Sequence, residues 1–529
     1  VLSAAIRHRQ ADSRSLQTVT PSSRARHRER VTSGVSFTAT RLLVLLTLAA
    51  SDAACAAPSD PLAPATRTTA IVGALVEADR RELSGRADLV EGKYARMARN
   101  LYDFYRGTMP IFRGDLGDAR MRVAQTDFDL PGVLPFSIGD AHPENFGLLL
   151  AADGTLALEP NDLDAADRHP YQLDLRRLSI GLVLASRTAS LDDGAQSDVA
   201  RSCVASYVDT LRDIDAGTYA PHRVDDATDP ILLDLFRRGR RDLAARAELA
   251  NLTTLDDGAR HFVRGAPDAD DPENVLSDLP DWALSELPRT LDAYRRALPS
   301  PPPEDHLTVL DAVREHGSGV ASWARVRVLV LVRGPTDDPS DDVILELKEE
   351  SQSGATGALV PGVFSDDEVD RIRRATQAAW SRPDAEPWWG AATWLGMPVQ
   401  IRLESEAQKT FRTERLVGDR ATRDALTEVA AVLCEILARI HSTAGMGADG
   451  RFATQLRARL GDREHEMIEG EIEVARIHAD VVTLDWQLFR EALRTRGPTL
   501  GFVPEPAIDG PDLERRALYG TAAEVRAWE

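Results

Sequence analysis

The densest set of residues able to do chemistry is Gly139-Asp140-Ala-His142-Pro-Glu144-Asn145-Phe-Gly147, followed at short range by Asn161-Asp162-Leu-Asp164. Between them, Leu148-Leu-Leu150 and Leu156-Ala-Leu158 flank Asp153-Gly154, the residue types a tight β-hairpin turn requires. A hairpin bracketed by two acid-bearing turns brings Asp140, Asn145 and Asp162 toward one end. Carboxylates converging with an amide make a hard, oxygen-only site that suits Mg²⁺ rather than a soft metal. An acid after a strand, an amide five residues on and a further acid beyond a hairpin also match a phosphoryl-transfer layout. There one Asp orients the hydroxyl nucleophile, while the Asn and a second Asp hold metal. Asp140 is the expected base. His142 is expected to brace the loop, and Asn145, Asp162 and Asp164 to hold the metal.

Those residues resemble two families. Gly139-Asp140-Ala-His142-Pro-Glu-Asn145 is similar to the catalytic loop of the aminoglycoside phosphotransferase and choline kinase branch of the protein-kinase-like superfamily. From about residue 90 the chain more closely resembles a bacterial family known as Domain of Unknown Function 2252. The shared marks are Phe104-Tyr-Arg-Gly107, the Gly139–Gly147 loop, Asn161-Asp-Leu-Asp164 and Asp174-Leu-Arg-Arg-Leu178, with Gly317-Ser-Gly319, Leu347-Lys348-Glu349 and Leu437-Ala-Arg-Ile-His441 as weaker ones. The kinase resemblance implies ATP and Mg²⁺ as cofactors and a nucleotide plus an acceptor as partners. It also implies a glycine-rich phosphate cover and a lysine on a following strand. Gly317, Ser318 and Gly319 before a strand at 325–332, and Lys348 at the end of the next, fill those roles. Because they follow the catalytic loop by about 180 residues, the expected fold is α+β: a protein-kinase-like two-lobed fold with its motifs in circularly permuted order.

Composition sharpens one of these assignments. Of 63 basic side chains only Lys93, Lys348 and Lys409 are lysines. A lysine ending an apolar strand in an arginine-writing chain favours a compact ammonium over a guanidinium fork. Arg402 and Lys409, near a strand at 399–403, are further candidate phosphate contacts, and Arg106 a candidate anion contact. His441 sits on an apolar helical face and reads as a core histidine. Asp174 is expected to tie its helix back to the loop. The net charge of −21 argues against a nucleic-acid binder.

The elements that must position these residues follow from periodicity. Helices are expected over 75–107, 172–187, 194–214 and through much of the C-terminal 110 residues, and the Pro-rich, acidic stretch 265–305 reads as a linker. The divisions are then residues 1–57, a basic leader; 58–300, the catalytic-loop half; and 301–529, the glycine-loop and lysine half. Residues 1–34 hold seven arginines and two acids, ahead of the apolar run 42–50 and Ala54-Cys-Ala56, the layout of a secretory signal. Export, or a lipid anchor at Cys55 as the only membrane contact, is expected if that leader is real, and a cytoplasmic protein otherwise. Cys203 and Cys434, among apolar residues, are expected to be buried free thiols, with a single bridge as the alternative. Two other functions stand beside the phosphotransferase: a metal-dependent phosphohydrolase, whose further histidines lack a suitable setting here, and a non-catalytic module on a degenerate scaffold. Export would favour the module, because ATP is scarce outside the cytoplasm.

Overall fold

In the computed structural model the described residues are 60–221, 229–265, 275–350, 368–382 and 384–503. The leader 1–57, with Cys55, lies outside them. The expected 75–107 helix is a broken series: α1 (Pro64–Ala78), α2 (Arg80–Gly85), α3 (Ala87–Arg99), α4 (Leu101–Gly107) and α5 (Met109–Gly117). Asn100 makes one of the breaks, capping α4 by accepting from the Asp103 amide. The short strand β1 (Phe136–Ser137) leads into the Gly139–Gly147 loop. The hairpin β2 (Phe146–Leu150) and β3 (Leu156–Pro160) follows as expected, and β4 (Asp167–Arg168) returns to pair with β1.

Helices α6 (Gln172–Thr188) and α7 (Asp193–Ala216) come next, then α8 (Pro230–Ala245) and α9 (Ala247–Leu252). Every residue of α6 from Gln172 to Ser186 is buried, which makes it the axis around which the helical region packs. After the hairpin β5 (Thr253–Asp256) and β6 (Ala259–Phe262) come β7 (Val275–Asp278), α10 (Asp281–Ala297), β8 (Val309–His316), β9 (Arg327–Val332) and β10 (Val343–Glu349). Then follow α11 (Glu368–Ala379), β11 (Gly390–Trp394), β12 (Met397–Leu403), α12 (Arg423–His441), α13 (Phe452–Leu460) and α14 (Glu464–Arg496).

One antiparallel six-stranded sheet, in the order β11-β12-β10-β9-β8-β7, dominates the second half. Side chains alternate across it. Val328, Val330, Leu345, Leu347, Val399 and Ile401 face a core with α10. The opposite face is split. Leu329, Leu331 and Ile344 pack with Leu249 and Phe262, whereas Arg327, Glu346, Lys348 and Arg402 form a charged row. The first strand and covering helix of this sheet lie within 275–297, so that part of the stretch read as a linker is structured, and a boundary at residue 300 falls inside the sheet assembly. Pro58–Glu529 is one compact unit.

The cysteines are a correction: Cys203 and Cys434 are bonded to each other. Both are fully buried, as expected. However, α7 and α12 pack side by side and bring their Cα atoms to 5.1 Å, within disulfide range. No described helix is long and apolar enough to cross a membrane.

Candidate active site

A cavity of about 1260 Å³ lies between the hairpin region and the charged row of the sheet. Asp140, Asn145, Asp162, Asp164 and Lys348 all line it, and Ser318 and Gly319 contribute to its wall from the β8–β9 connection. The sequence places these residues up to 208 positions apart (140 to 348); the fold brings them to one space.

The Gly139–Asn145 turn is built by backbone. The His142 amide donates to the Asp140 carbonyl at 2.9 Å, and the Asn145 amide to the His142 carbonyl at 2.9 Å. The Asn145 side-chain amide donates to the Asp140 carbonyl at 2.8 Å, which leaves its own oxygen as a potential ligand. Gly139 has φ +86°, and a Cβ there would collide with the Ala165 carbonyl, so only glycine closes this turn without strain. Asp174 on α6, fully buried, accepts from the Ile138 and Gly139 amides at 2.6 and 2.9 Å. His441 Nε2 stands 3.3 Å from Asp174, and its Nδ1 is 2.7 Å from the Tyr207 hydroxyl. The expected core histidine is therefore part of a polar chain ending on the loop.

The Asp140 carboxylate is held by Arg177 Nε at 2.7 Å. Arg177 in turn donates to the Tyr105 carbonyl at 2.7 Å, lies over the Tyr105 ring and accepts the Tyr105 hydroxyl on its own carbonyl. The Phe104-Tyr-Arg-Gly107 motif, to which the sequence alone gave no role, buttresses the arginine that orients Asp140. Its neighbour Arg106 bonds Glu144 of the loop at 3.0 Å. Burial, and the charges of Arg106, Arg177 and Arg412 nearby, hold the His142 imidazole well below its ordinary range, so it is neutral near pH 7 and serves the loop as an uncharged brace.

At the opposite wall, Lys348 Nζ lies 3.1 Å from Asp162 Oδ1 and 2.9 Å from Asp164 Oδ1. Arg325 closes on the other Asp164 oxygen. Burial opposes ionisation of both acids. At Asp164 it is overcome by Lys348 and then Arg325, so that carboxyl lies well below the usual range. Asp162 is raised, by burial and then by the adjacent Asp164. Its side chain nevertheless keeps 35% exposure toward the cavity, so it is the open corner of the pair. Glu350, two residues past the lysine and 3% exposed, adds a third carboxyl, against Asp164. Burial, then Asp164, pushes it well above its usual range. Among the described residues, no group of three or more His, Cys, Asp and Glu is arranged to hold a metal.

The family model described as "Uncharacterized protein conserved in bacteria (DUF2252)" matches residues 86–492, well over half of the 529. The chain belongs to the DUF2252 family. No curated protein and no solved structure is significantly similar to this DUF2252 chain.

Other expected site residues divide. Arg402 reaches the cavity wall but is paired with Glu346 at 2.7 Å and with the Asn161 carbonyl at 3.3 Å. Lys409 is not among the lining residues; it sits 3.3 Å from both Asp242 and Glu248, at α8 and α9. Its neighbouring backbone does serve the site, because the Lys409 carbonyl accepts from Leu148 and the run 409–411 lies along β2. Gly317, with φ +78°, shapes the connection without lining the cavity. Sequence reasoning missed Arg177 as the partner of Asp140, and also Arg325, Glu350 and Arg412. The paired arginines of the Asp174–Leu178 motif were a signal; Arg176 is buried against Glu471.

Proposed function

We propose that this DUF2252 protein is an ATP- and Mg²⁺-dependent phosphotransferase, built as a kinase-like two-lobed fold with its motifs in permuted order. The observation that carries the reading is the meeting of Lys348 with Asp162 and Asp164 in one cavity with Asp140. A phosphoryl-transfer site needs an ammonium for phosphate oxygens, carboxylates for a metal and a separate carboxylate for the nucleophile. The strand order supports it further: β8 and β9 are adjacent and joined by the glycine-bearing connection, and Lys348 is on β10, the next strand over.

The donor set fits Mg²⁺, since Asp162, the Asn145 side-chain oxygen and Asp164 are all hard oxygen ligands on the cavity wall. A bound Mg²⁺ would supply charge neutralisation for the phosphates of ATP. The chain's own groups do the rest. The ammonium of Lys348, which balances Asp162 and Asp164, pairs with phosphate oxygens. The connection carrying Ser318 and Gly319 covers them. Asp140, oriented by Arg177, accepts the proton of the acceptor hydroxyl as it attacks.

Phosphate release from Mg·ATP in the presence and absence of candidate acceptors tests this assignment. Asp140→Asn is expected to lower turnover by about 10²–10⁴-fold with nucleotide affinity nearly unchanged. Turnover equal to that of the wild type would remove Asp140 from the chemistry.

A further inference from the structure

The wall beside Asp140 carries positive charge that the reaction above does not use. Glu144 lies inside the catalytic-loop motif and is the meeting point of two guanidiniums: Arg106 Nη1 at 3.0 Å and Arg412 Nη1 at 3.3 Å, both on its Oε2. Its Oε1 accepts from the Thr413 amide and hydroxyl at 2.9 and 3.0 Å, so its acceptor capacity is shared among four donors. Asp103 is the other carboxylate in contact, 3.5 Å from Arg106 and from Arg96. Asp103 is thus shared by Arg106 and Arg96, and the nearby Glu414 is exposed to solvent.

The two arginines differ in how they are held. Arg106 is largely enclosed, and its buried Nε has no hydrogen-bond partner. Arg412 spends one nitrogen on Glu144, and its side chain is 39% exposed on the cavity wall. Its position is fixed by backbone: the Phe411 amide donates to the Phe146 carbonyl at 3.1 Å, which lays the 409–413 run against β2 and the loop. His142, 4% exposed with an unpartnered Nδ1, lines the same wall, kept neutral among these cations. A partly open guanidinium beside an under-bonded one, the first on a run hydrogen-bonded along β2 and the second on α4, is a recognition device for an oxyanion.

We infer that the acceptor is anionic, and that a phosphate or carboxylate group on it seats on Arg412 and Arg106, directing its hydroxyl to Asp140. This rests on the phosphotransferase reading for the word acceptor, but the anion subsite is a separate physical claim. It also gives Glu144 a function: a carboxylate spaced between two guanidiniums keeps them from repelling one another while the subsite is empty.

The test uses the full chain saturated with Mg²⁺ and a non-hydrolysable ATP analogue, so that the Lys348 end is occupied. Inorganic phosphate and, separately, succinate are titrated by calorimetry. The expected result is binding of one of them, weakened about tenfold or more by Arg412→Ala and partly restored by Arg412→Lys, with analogue affinity unchanged by either. Tighter phosphate assigns a phosphorylated acceptor, and tighter succinate a carboxylate. Lys348→Ala is expected to weaken the analogue and leave the anion. Arg412 is partly exposed, so its replacement is not expected to unfold the protein. Anion binding that is absent, or indifferent to Arg412→Ala, overturns the subsite. A wild-type chain that binds the anion but not the analogue would leave the subsite standing and refute the phosphotransferase reading instead.

Discussion

Asp174 gives the sharpest test of how the Gly139–Asn145 loop is held. Its carboxylate is fully buried and accepts from the Ile138 and Gly139 amides at 2.6 and 2.9 Å, with His441 Nε2 3.3 Å away. Asp174→Ala strands two buried backbone donors, and each costs roughly 1–3 kcal/mol when no acceptor replaces the lost one. Removing a buried carboxylate also relieves its desolvation, which offsets part of that loss. The net expectation is about 3–5 kcal/mol, a large share of a typical total of roughly 5–15 kcal/mol. Asp174→Asn keeps one acceptor oxygen and turns an amide toward the second N–H, so about half the loss is expected. Urea denaturation followed by tryptophan fluorescence measures both, and turnover should fall in the Asn variant because Gly139-Asp140 is no longer pinned. If both variants stay within about 1 kcal/mol of the wild type, the two amides have other partners and the account of the loop is wrong.

The pH dependence of stability should carry the mark of Glu386. This carboxyl is buried, one of its oxygens has no partner, and burial raises it from 4.5 to about 7 against a weak opposing pull from Arg402. A raised folded value means its contribution is fully present below about pH 4.5 and is lost as pH rises through 7. Glu386→Gln should therefore be more stable than the wild type at pH 8 by at most about 3 kcal/mol, with the gain shrinking toward pH 4.5; a pH-independent difference would contradict the assignment. The Cys203–Cys434 bond spans 231 positions between α7 and α12. Its reduction, or Cys203→Ser with Cys434→Ser, should cost about 2–4 kcal/mol in urea, and free-thiol titration of the unreduced, denatured protein should find neither sulfur. Two reactive thiols at those positions would restore the free-cysteine expectation.

What could be read from the sequence was whatever is local. The Gly139–Asn145 turn, the hairpin after it and the Asn161–Asp164 turn are contiguous, and turn chemistry and alternation place them. The 327–332 and 343–349 strands are runs of apolar, β-branched residues, so Lys348 at the end of one stood out. Pairings across the chain left no such trace. Arg177 meets Asp140 and Arg325 meets Asp164 only because α6 and the β8–β9 connection converge on the cavity, and in a chain with 60 arginines neither is distinctive. The cysteines read as apolar because their immediate neighbours are; that α7 and α12 lie side by side is a tertiary fact. Lys409 misled for the opposite reason. Its scarcity marked it, but its ammonium was needed against Asp242 and Glu248, and it is the backbone beside it that serves the loop. The stretch 265–305 looked like a linker because its prolines are conspicuous, yet Pro288 lies within α10 and the flanking apolar residues hold that helix on the sheet.

The central claim is that the cavity holding Asp162, Asp164 and Lys348 binds a nucleotide with its metal. Thermal unfolding of the full chain with Mg²⁺ and ATP at millimolar concentration measures this directly. At a hundredfold excess over the dissociation constant, binding adds about 2.7 kcal/mol, and a rise of several degrees in Tm is expected that needs both Mg²⁺ and ATP. The rise should be lost in Lys348→Ala and in Asp162→Asn. No rise in the wild type, or an equal rise in both variants, would contradict the account.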